Sequence, residues 1–439
     1  MPMDKDIRNQ LMITGLQRYK QEREYFNFIT NMLADVEDEE MQLSRDVTQI
    51  TVDRYDQVIR AAEEDKPFIG GYFCAAPEVY TAMELPWYLI MQTPFLAASA
   101  PYLMEDVDAA EAMGLGTDWC TACRLSLYYI EAGLSPPPTC MIGLLHPCDA
   151  ATMLHQAVVR NEKWRDIPMF CTDPPYLEDQ RGVDYFAGEL KRMVSFLTEH
   201  TGKKLDLDRL REIVIEGNKQ YELWMEYAQL RRAKPCPQGW GMGGPQCFAV
   251  AQIFEVGQPR GTEWFRKLVD ITERKVKEKR GAIANEKIRY FWFDLLPFGW
   301  VFELMPWLEE ELGAVMVMDM FGYTPYEPVD TRNEDTIFQG LAKRNLYQSP
   351  MVRQARGVAD YFASDIARVV KDYDIDVVVW PGHMGHKDGS ASVGIMREIC
   401  SELKVPYIHL GLDLFDRRYT SPDECKDKLG KFFSAMGLG

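Results

Sequence analysis

The sequence predicts an α/β protein: two doubly wound, mostly parallel-sheet units with a helical insertion between them and an N-terminal helical arm. Three observations predict it. Short apolar runs alternate with helical periodicity from about residue 66 to 176, and the same alternation returns from about 283 to the end. Between 177 and 282 the strand-like runs disappear, and the first 35 residues carry apolar side chains at helical spacing. Strands alternating with helices build a parallel sheet covered on both faces. At 439 residues the chain exceeds one typical core. The expected division is an arm over 1–55, a first α/β domain over 56–176, a helical segment over 177–282 and a second α/β domain over 283–439.

Each element has its own signal. Residues 5–35 read as helix, because Ile7, Leu11, Tyr25, Phe26, Ile29 and Leu33 recur near helical spacing. The acidic stretch from Asp35 to Asp46 is expected to link this arm to the body, and the arm to pack on a partner subunit or on its own chain. Pro67-Phe-Ile-Gly-Gly-Tyr-Phe73 reads as a buried strand, and Pro77 opens a helix, where its missing N–H costs nothing. Trp87 to Met91, Met141 to Leu145 and Pro168 to Thr172 follow as strands, with Arg124 to Ala132 and Ala150 to Arg160 as helices. The insertion holds two long amphipathic helices, from Asp206 to about Arg232 and from Thr262 to about Arg280. The second ends in Lys and Arg that complement its C-terminal dipole. Pro235 to Pro245 reads as loop, and Gly239-Trp-Gly-Met-Gly-Gly244 as a flexible one.

In the last part, Ile288 to Asp294, Ala314 to Met320, Ile375 to Trp380 and Pro406 to Leu412 read as strands. Helices are expected over Trp300 to Glu311, Val352 to Tyr373, Ser392 to Leu403 and Pro422 to Phe433. Ligands of open parallel sheets gather beyond the carboxyl ends of the strands. Cys148, Asp173, Asp294, His383, His386 and Asp413 all fall at such ends.

Composition excludes several classes. A net charge of −18 and a pI of about 4.9 leave no basic footprint for nucleic acid. The longest apolar stretch, Phe291 to Leu308, is broken by Asp294, Pro297, Glu303 and Pro306, so no membrane span is expected. Ten cysteines without a secretory signal point to a reducing, cytoplasmic setting, where thiols are core residues, ligands or catalysts. Neither a phosphate-binding glycine loop nor a G-x-S-x-G or H-E-x-x-H motif occurs, so ATP, NAD and hydrolase readings lack support.

Cys120 and Cys148 stand at two strand-to-helix turns, and a third turn, Trp380-Pro-Gly-His-Met-Gly-His-Lys-Asp388, carries His383 and His386. Three soft-ligand positions on three such turns suggest one shared site, an iron–sulfur cluster. Helix N-termini stabilise thiolates and a cluster's net negative charge. Cys120 and Cys123 form a C-x-x-C, but the second pair that structural zinc requires is missing, since Cys140 and Cys148 lie too far apart. Cys74, Cys171, Cys236, Cys247, Cys400 and Cys425 read as inert core thiols. The bland reading of both histidines is that they cap the helix beginning near Asp388.

Five segments look familiar in their order: Pro77-Glu-Val-Tyr-Thr-Ala-Met-Glu-Leu-Pro86, Asp118-Trp-Cys-Thr-Ala-Cys-Arg124, Pro147-Cys-Asp149, Ile167-Pro-Met-Phe-Cys-Thr-Asp-Pro-Pro-Tyr176, and Val405-Pro-Tyr-Ile-His-Leu-Gly-Leu-Asp413 with Asp416-Arg-Arg418. Together, over about residues 65–436, they resemble the catalytic-component subunits of the 2-hydroxyacyl-CoA dehydratase and benzoyl-CoA reductase family. The resemblance implies a 4Fe-4S cluster with Cys120 and Cys148 as its first two ligands. Where family members carry a third cysteine, this chain has His386. Either ligation is mixed, or another residue supplies the third bond, or this subunit has lost its cluster. Histidine ligation tends to raise the reduction potential. His383 would orient substrate or move protons.

The resemblance further implies a homologous second subunit, an ATP-hydrolysing iron–sulfur activator protein and an acyl-CoA substrate. Its chemistry is single-electron activation of the thioester through a ketyl radical anion, above all dehydration of a 2-hydroxyacyl-CoA. The alternatives are a benzoyl-CoA-type ring reductase and a cluster-free partner subunit that shapes the CoA site.

Overall fold

The structure, a computed structural model, describes residues 5–91, 100, 102–145, 148–350, 352–357 and 359–438. It contains two four-stranded, all-parallel sheets. The first comprises β1 (Ile69–Gly71), β2 (Trp87–Leu89), β3 (Cys140–Leu144) and β4 (Met169–Thr172), in the order β2-β1-β3-β4. The second comprises β5 (Ile288–Trp292), β6 (Ala314–Asp319), β7 (Val377–Trp380) and β8 (Tyr407–His409), in the order β6-β5-β7-β8. Both sheets therefore share one winding. In each, the chain leaves the first strand in one direction and later crosses to its other side, so a topological switch point lies between β1 and β3 and between β5 and β7.

The strand runs explain how the second sheet is covered. Ile288, Tyr290 and Trp292 pack on one face with Val377 and Val379, against the helices Val301–Glu310 and Pro422–Ala435. Phe291, Val315, Val317, Val378 and Trp380 pack on the other, against the helices Ala359–Tyr373 and Val393–Glu402. Side chains alternate with a period of two, so a strand covered on both faces must be apolar at nearly every position. Asp319 at the end of β6 is one buried exception, and Arg289 in β5 is another. Its guanidinium is satisfied by the carbonyls of Tyr373 (3.1 Å) and Ala233 (3.2 Å) and by Glu286 (2.6 Å).

The first sheet shares one continuous core with the arm and the insertion. The arm packs on its own chain: Thr14 Oγ1 donates to the Gly133 carbonyl at 2.8 Å, Arg18 to Asp106 at 2.5 Å, and Trp264 Nε1 to the Leu43 carbonyl at 3.0 Å. Two sequence expectations need correction here. The acidic stretch expected to link arm and body is mostly the start of a helix, Glu39–Glu63. Asp38 caps it by accepting from the amides of Glu40 and Met41 at 3.0 and 2.9 Å, and Glu39 and Glu40 complement the dipole in the first turn.

The glycine run before Pro245 is likewise not an irregular loop. Trp240–Met242 forms a 3-10 turn, and the Gly244 amide donates to Asp319 Oδ2 at 2.7 Å. A Cβ at Gly244 would overlap the Gly322 backbone and the Asp319 carboxylate, so glycine is what lets this segment lie against the end of β6. The chain then runs through the helix Gly244–Ala249 into a π-helical turn, Val250–Phe254. Among the described residues no helix is long and apolar enough to cross a membrane.

Candidate metal centre and apolar cavity

The segments that leave seven of the eight strands converge on one cavity of about 210 Å³. Tyr72 and Phe73 follow β1, Met91 follows β2, and Cys148 follows β3. From the second sheet come Leu295 and Phe298 after β5, Phe321 after β6, His383 and His386 after β7, and Leu414 after β8. Both switch points thus open into the same space, as expected for parallel sheets.

Two thiols are placed by helix N-termini. Cys148 is the N-cap of the helix Asp149–Val158 and accepts from the Ala151 amide at 3.3 Å. Cys120 is the N-cap of the helix Thr121–Glu131. A hydrogen bond from the Cys123 thiol lowers its pKa below the ordinary thiol value, helped by the first amides of the helix and opposed by burial. Cys123 gives up that proton less readily, so its own pKa is pushed up.

The three turns are held together by specific contacts. Trp119 Nε1 donates to the Ala150 carbonyl at 3.2 Å, tying the Cys120 turn to the Cys148 helix. Thr121 Oγ1 donates to Asp413 Oδ2 at 2.6 Å, tying it to the segment after β8. Gly385 lies directly on the Cys120 backbone, where a Cβ would overlap the Cys120 main chain. The histidine turn and the first cysteine turn meet only because that residue has no side chain.

Around the histidines, His386 Nδ1 lies 2.7 Å from Asp294 Oδ1, which also accepts the Leu295 amide at 2.7 Å. The rings of His383 and His386 stack with centroids 5.0 Å apart. Asp294, His383 and His386 are only 1%, 4% and 5% exposed, and one potential ligand atom from each falls within 4.8 Å of the others. His386 does precede the short helix Lys387–Ala391, but its side chain makes no cap bond there. The bland capping role is therefore not what this imidazole does.

The structure brings Cys120, Cys148, His383 and His386 to one cavity. Asp173 does not join them: its carboxylate accepts from the Tyr185 hydroxyl at 3.3 Å and lies outside the cavity wall. Asp413 braces the turn after β8, accepting the Phe415 and Asp416 amides at 2.9 and 2.8 Å. Cys74, Cys140, Cys236, Cys247, Cys400 and Cys425 are buried, and burial pushes each thiol up. His155 is held neutral by burial, its pKa lowered to about 4, with Nδ1 3.1 Å from the Leu144 carbonyl.

Sequence reasoning missed the cavity's fourth wall. Pro245, Phe248, Ala249, Ile253 and Phe254 of the insertion close it. Its signal was the glycine run itself, since glycines before a helix permit close backbone approach. The π-helical turn, a form often found at functional sites, has no comparable sequence signature.

The family model described as 2-hydroxyglutaryl-CoA dehydratase, D-component, matches residues 75–436. Similar proteins include the (R)-phenyllactyl-CoA dehydratase alpha subunit of Clostridium sporogenes, 25% identical over 42% of this chain and 46% of that protein. The (R)-2-hydroxyglutaryl-CoA dehydratase subunit alpha of Acidaminococcus fermentans is 24% identical over 37% of this chain and 34% of its own length. The (R)-2-hydroxyisocaproyl-CoA dehydratase alpha subunit of Clostridioides difficile is 22% identical over 55% of this chain and 60% of its own. The chain thus spans between about a third and three fifths of the relatives it matches.

Proposed function

The chain belongs to the 2-hydroxyglutaryl-CoA dehydratase D-component family, and from that premise we propose that it is one subunit of an enzyme that dehydrates a 2-hydroxyacyl-CoA by single-electron chemistry. The observation that carries the proposal is the meeting of Cys120, Cys148 and His386 on one largely apolar cavity at the strand ends of both sheets. A 4Fe-4S cluster fits this donor set. Cys120 and Cys148 would hold it as thiolates at two helix N-termini, and His386 through Nε2, with Asp294 fixing the ring by its other nitrogen. When bound, such a cluster supplies single-electron transfer to the thioester, and three protein ligands leave one iron open.

The chain's own residues have separate duties. Dehydration takes a hydroxyl group from C2 and a proton from C3, so a group must accept one proton and the leaving hydroxyl must receive one. His383, stacked on His386 in the cavity wall, is the side chain assigned to hold and hand over that proton. The aromatic and aliphatic walls exclude water, which protects radical chemistry from side reactions. A homologous second subunit and an ATP-hydrolysing iron–sulfur activator complete the enzyme in this proposal.

Histidine at the third position favours a second reading, a cluster-free partner subunit that shapes the CoA site, whereas the paired cysteines weigh against it. A benzoyl-CoA-type ring reductase would use the same donors. Iron and acid-labile sulfide analysis of anaerobically purified protein separates cluster from no cluster: about four of each per chain supports ligation here. Iron-free protein that still supports turnover beside its partner favours the second reading. Product analysis with a 2-hydroxyacyl-CoA then distinguishes dehydration from ring reduction.

A further inference from the structure

We propose that the cavity is an acyl subsite for an apolar side chain, aromatic or branched aliphatic, and that it rejects acyl groups ending in a second carboxylate. The proposal rests on the dehydratase reading above and deepens it. Among the described residues lining the cavity there is no Lys, Arg, Asp, Glu, Asn, Gln, Ser or Thr. The polar side-chain atoms that the described residues bring to it are the Tyr72 hydroxyl, the thiols of Cys120, Cys123 and Cys148, and the imidazoles of His383 and His386. Of these, Cys120, Cys148, His383 and His386 are already assigned to the reacting centre.

The rest of the wall is hydrocarbon. Phe73 meets Phe248 edge-on at 5.1 Å, and Phe248 meets Phe321 at 4.6 Å, a run of rings drawn from the first sheet, the insertion and the second sheet. Leu295, Phe298 and Ile253 continue it. The cavity of about 210 Å³ would be shared between the cluster, at the end formed by Cys120, Cys148 and His386, and an acyl group along the hydrocarbon wall. An apolar wall of this kind takes an apolar group that needs no polar partner. A distal carboxylate placed here would lose its water without gaining a cation.

Buried guanidiniums near the cavity are engaged elsewhere: Arg124, which follows the lining residue Cys123, donates to Glu111 at 3.2 Å and to Thr121 at 2.9 Å. Arg344 lines a neighbouring small pocket that shares Phe73 with the cavity. It is already committed, donating to Glu78 at 2.9 Å and to Asn218 at 2.6 Å, and its charge stacks over the Tyr221 ring at 4.5 Å. Recruiting it would strand the Glu78 carboxylate, which is 4% exposed. The cavity therefore selects by what it lacks as well as by what it offers.

The test uses the assembled enzyme with its partner subunit and activator. kcat/KM is measured for 2-hydroxy-3-phenylpropanoyl-CoA and for 2-hydroxyglutaryl-CoA. A preference for the phenyl substrate of about a hundredfold or more is expected; equal rates, or a preference for the dicarboxylate, overturn the proposal. A second arm needs no turnover: calorimetric binding of the unreactive 3-phenylpropanoyl-CoA and glutaryl-CoA to the same subunit pair without activator. Tighter binding of the phenyl thioester supports the subsite even if neither hydroxy substrate is dehydrated, an outcome that would count against the dehydratase reading alone. Equal binding, or binding of neither, overturns the subsite. Phe248→Arg supplies the missing cation and should narrow or reverse the binding preference, whereas an unchanged ratio in a folded variant counts against this cavity as the place where the acyl group sits.

Discussion

His386 Nδ1 and Asp294 Oδ1 meet at 2.7 Å, joining the segments after β7 and β5, neighbouring strands on either side of the second sheet's switch point. A carboxylate on one ring nitrogen sets the orientation of the imidazole and makes its other nitrogen more basic. Asp294 is therefore predicted to act through His386 as a positioning residue. Asp294→Asn should weaken metal retention by about 10- to 100-fold and alter the visible and EPR spectra of the iron-loaded protein. Unchanged spectra and retention would leave the pair a structural contact only.

The ligand set predicts a graded series. Cys120→Ser and Cys148→Ser should each lose the brown absorbance and most of the iron. Cys400→Ala, a buried thiol remote from the cavity, should keep its iron and lose about 1 kcal/mol of stability. His386→Cys should retain the cluster and lower its potential, and His386→Ala should weaken or abolish it. Iron content by elemental analysis and potential by redox titration check the series. Full iron in both serine variants would remove Cys120 and Cys148 from the ligand set.

Gly385→Ala should separate the two turns. A Cβ there overlaps the Cys120 main chain, and backbone cannot yield as the end of a flexible side chain can. Destabilisation of roughly 1–3 kcal/mol is expected from overpacking, together with reduced iron content. Denaturant melts and iron analysis on one preparation test both halves of the claim. Gly394→Ala, which meets no atom, is the control.

Glu309 predicts a pH dependence. Burial raises its carboxyl from the ordinary 4.5 to about 7, with the Trp240 amide donating to it at 3.2 Å. The folded state thus holds a proton that the unfolded chain releases at lower pH. Its stabilising share is complete below about 4.5 and is lost as pH rises through about 7. Glu309→Gln keeps an acceptor for Trp240 and removes the titration, so relative to the native chain it should be stabilised by roughly 1–3 kcal/mol at pH 8 and little changed at pH 4.5. Urea melts across that range are the measurement; identical pH profiles would show that Glu309 titrates normally.

Much of the fold was legible because its signals are local. Ile288 to Trp292 and Val377 to Trp380 are apolar at almost every position, which in a short run bounded by turns marks a strand covered on both faces. The placing of Cys148, His383 and His386 at strand ends followed from that alternation, whereas Cys120, expected at a strand-to-helix turn, lies between the helices Leu103–Ala112 and Thr121–Glu131. The helices Leu103–Ala112 and Glu334–Lys343 escaped notice, and Gln180–Thr201 fell within the expected helical segment without being singled out. Residues 35–46 misled because acidic residues mark solvated linkers and helix N-termini alike, and only the Asp38 cap distinguishes the two.

By itself the sequence determined the two alternating α/β stretches, the helical stretch between them, and which residue types stand at the strand ends, because strand and helix periods are written into consecutive residues. Tertiary structure alone decided which of those ends meet. Asp294 and His386 are separated by 92 positions and Thr121 and Asp413 by 292, distances over which no sequence period carries information. Likewise, Gly385 lies on Cys120, and Phe248 closes a cavity between two sheets it belongs to neither of, because the packing of the assembled core fixes those approaches.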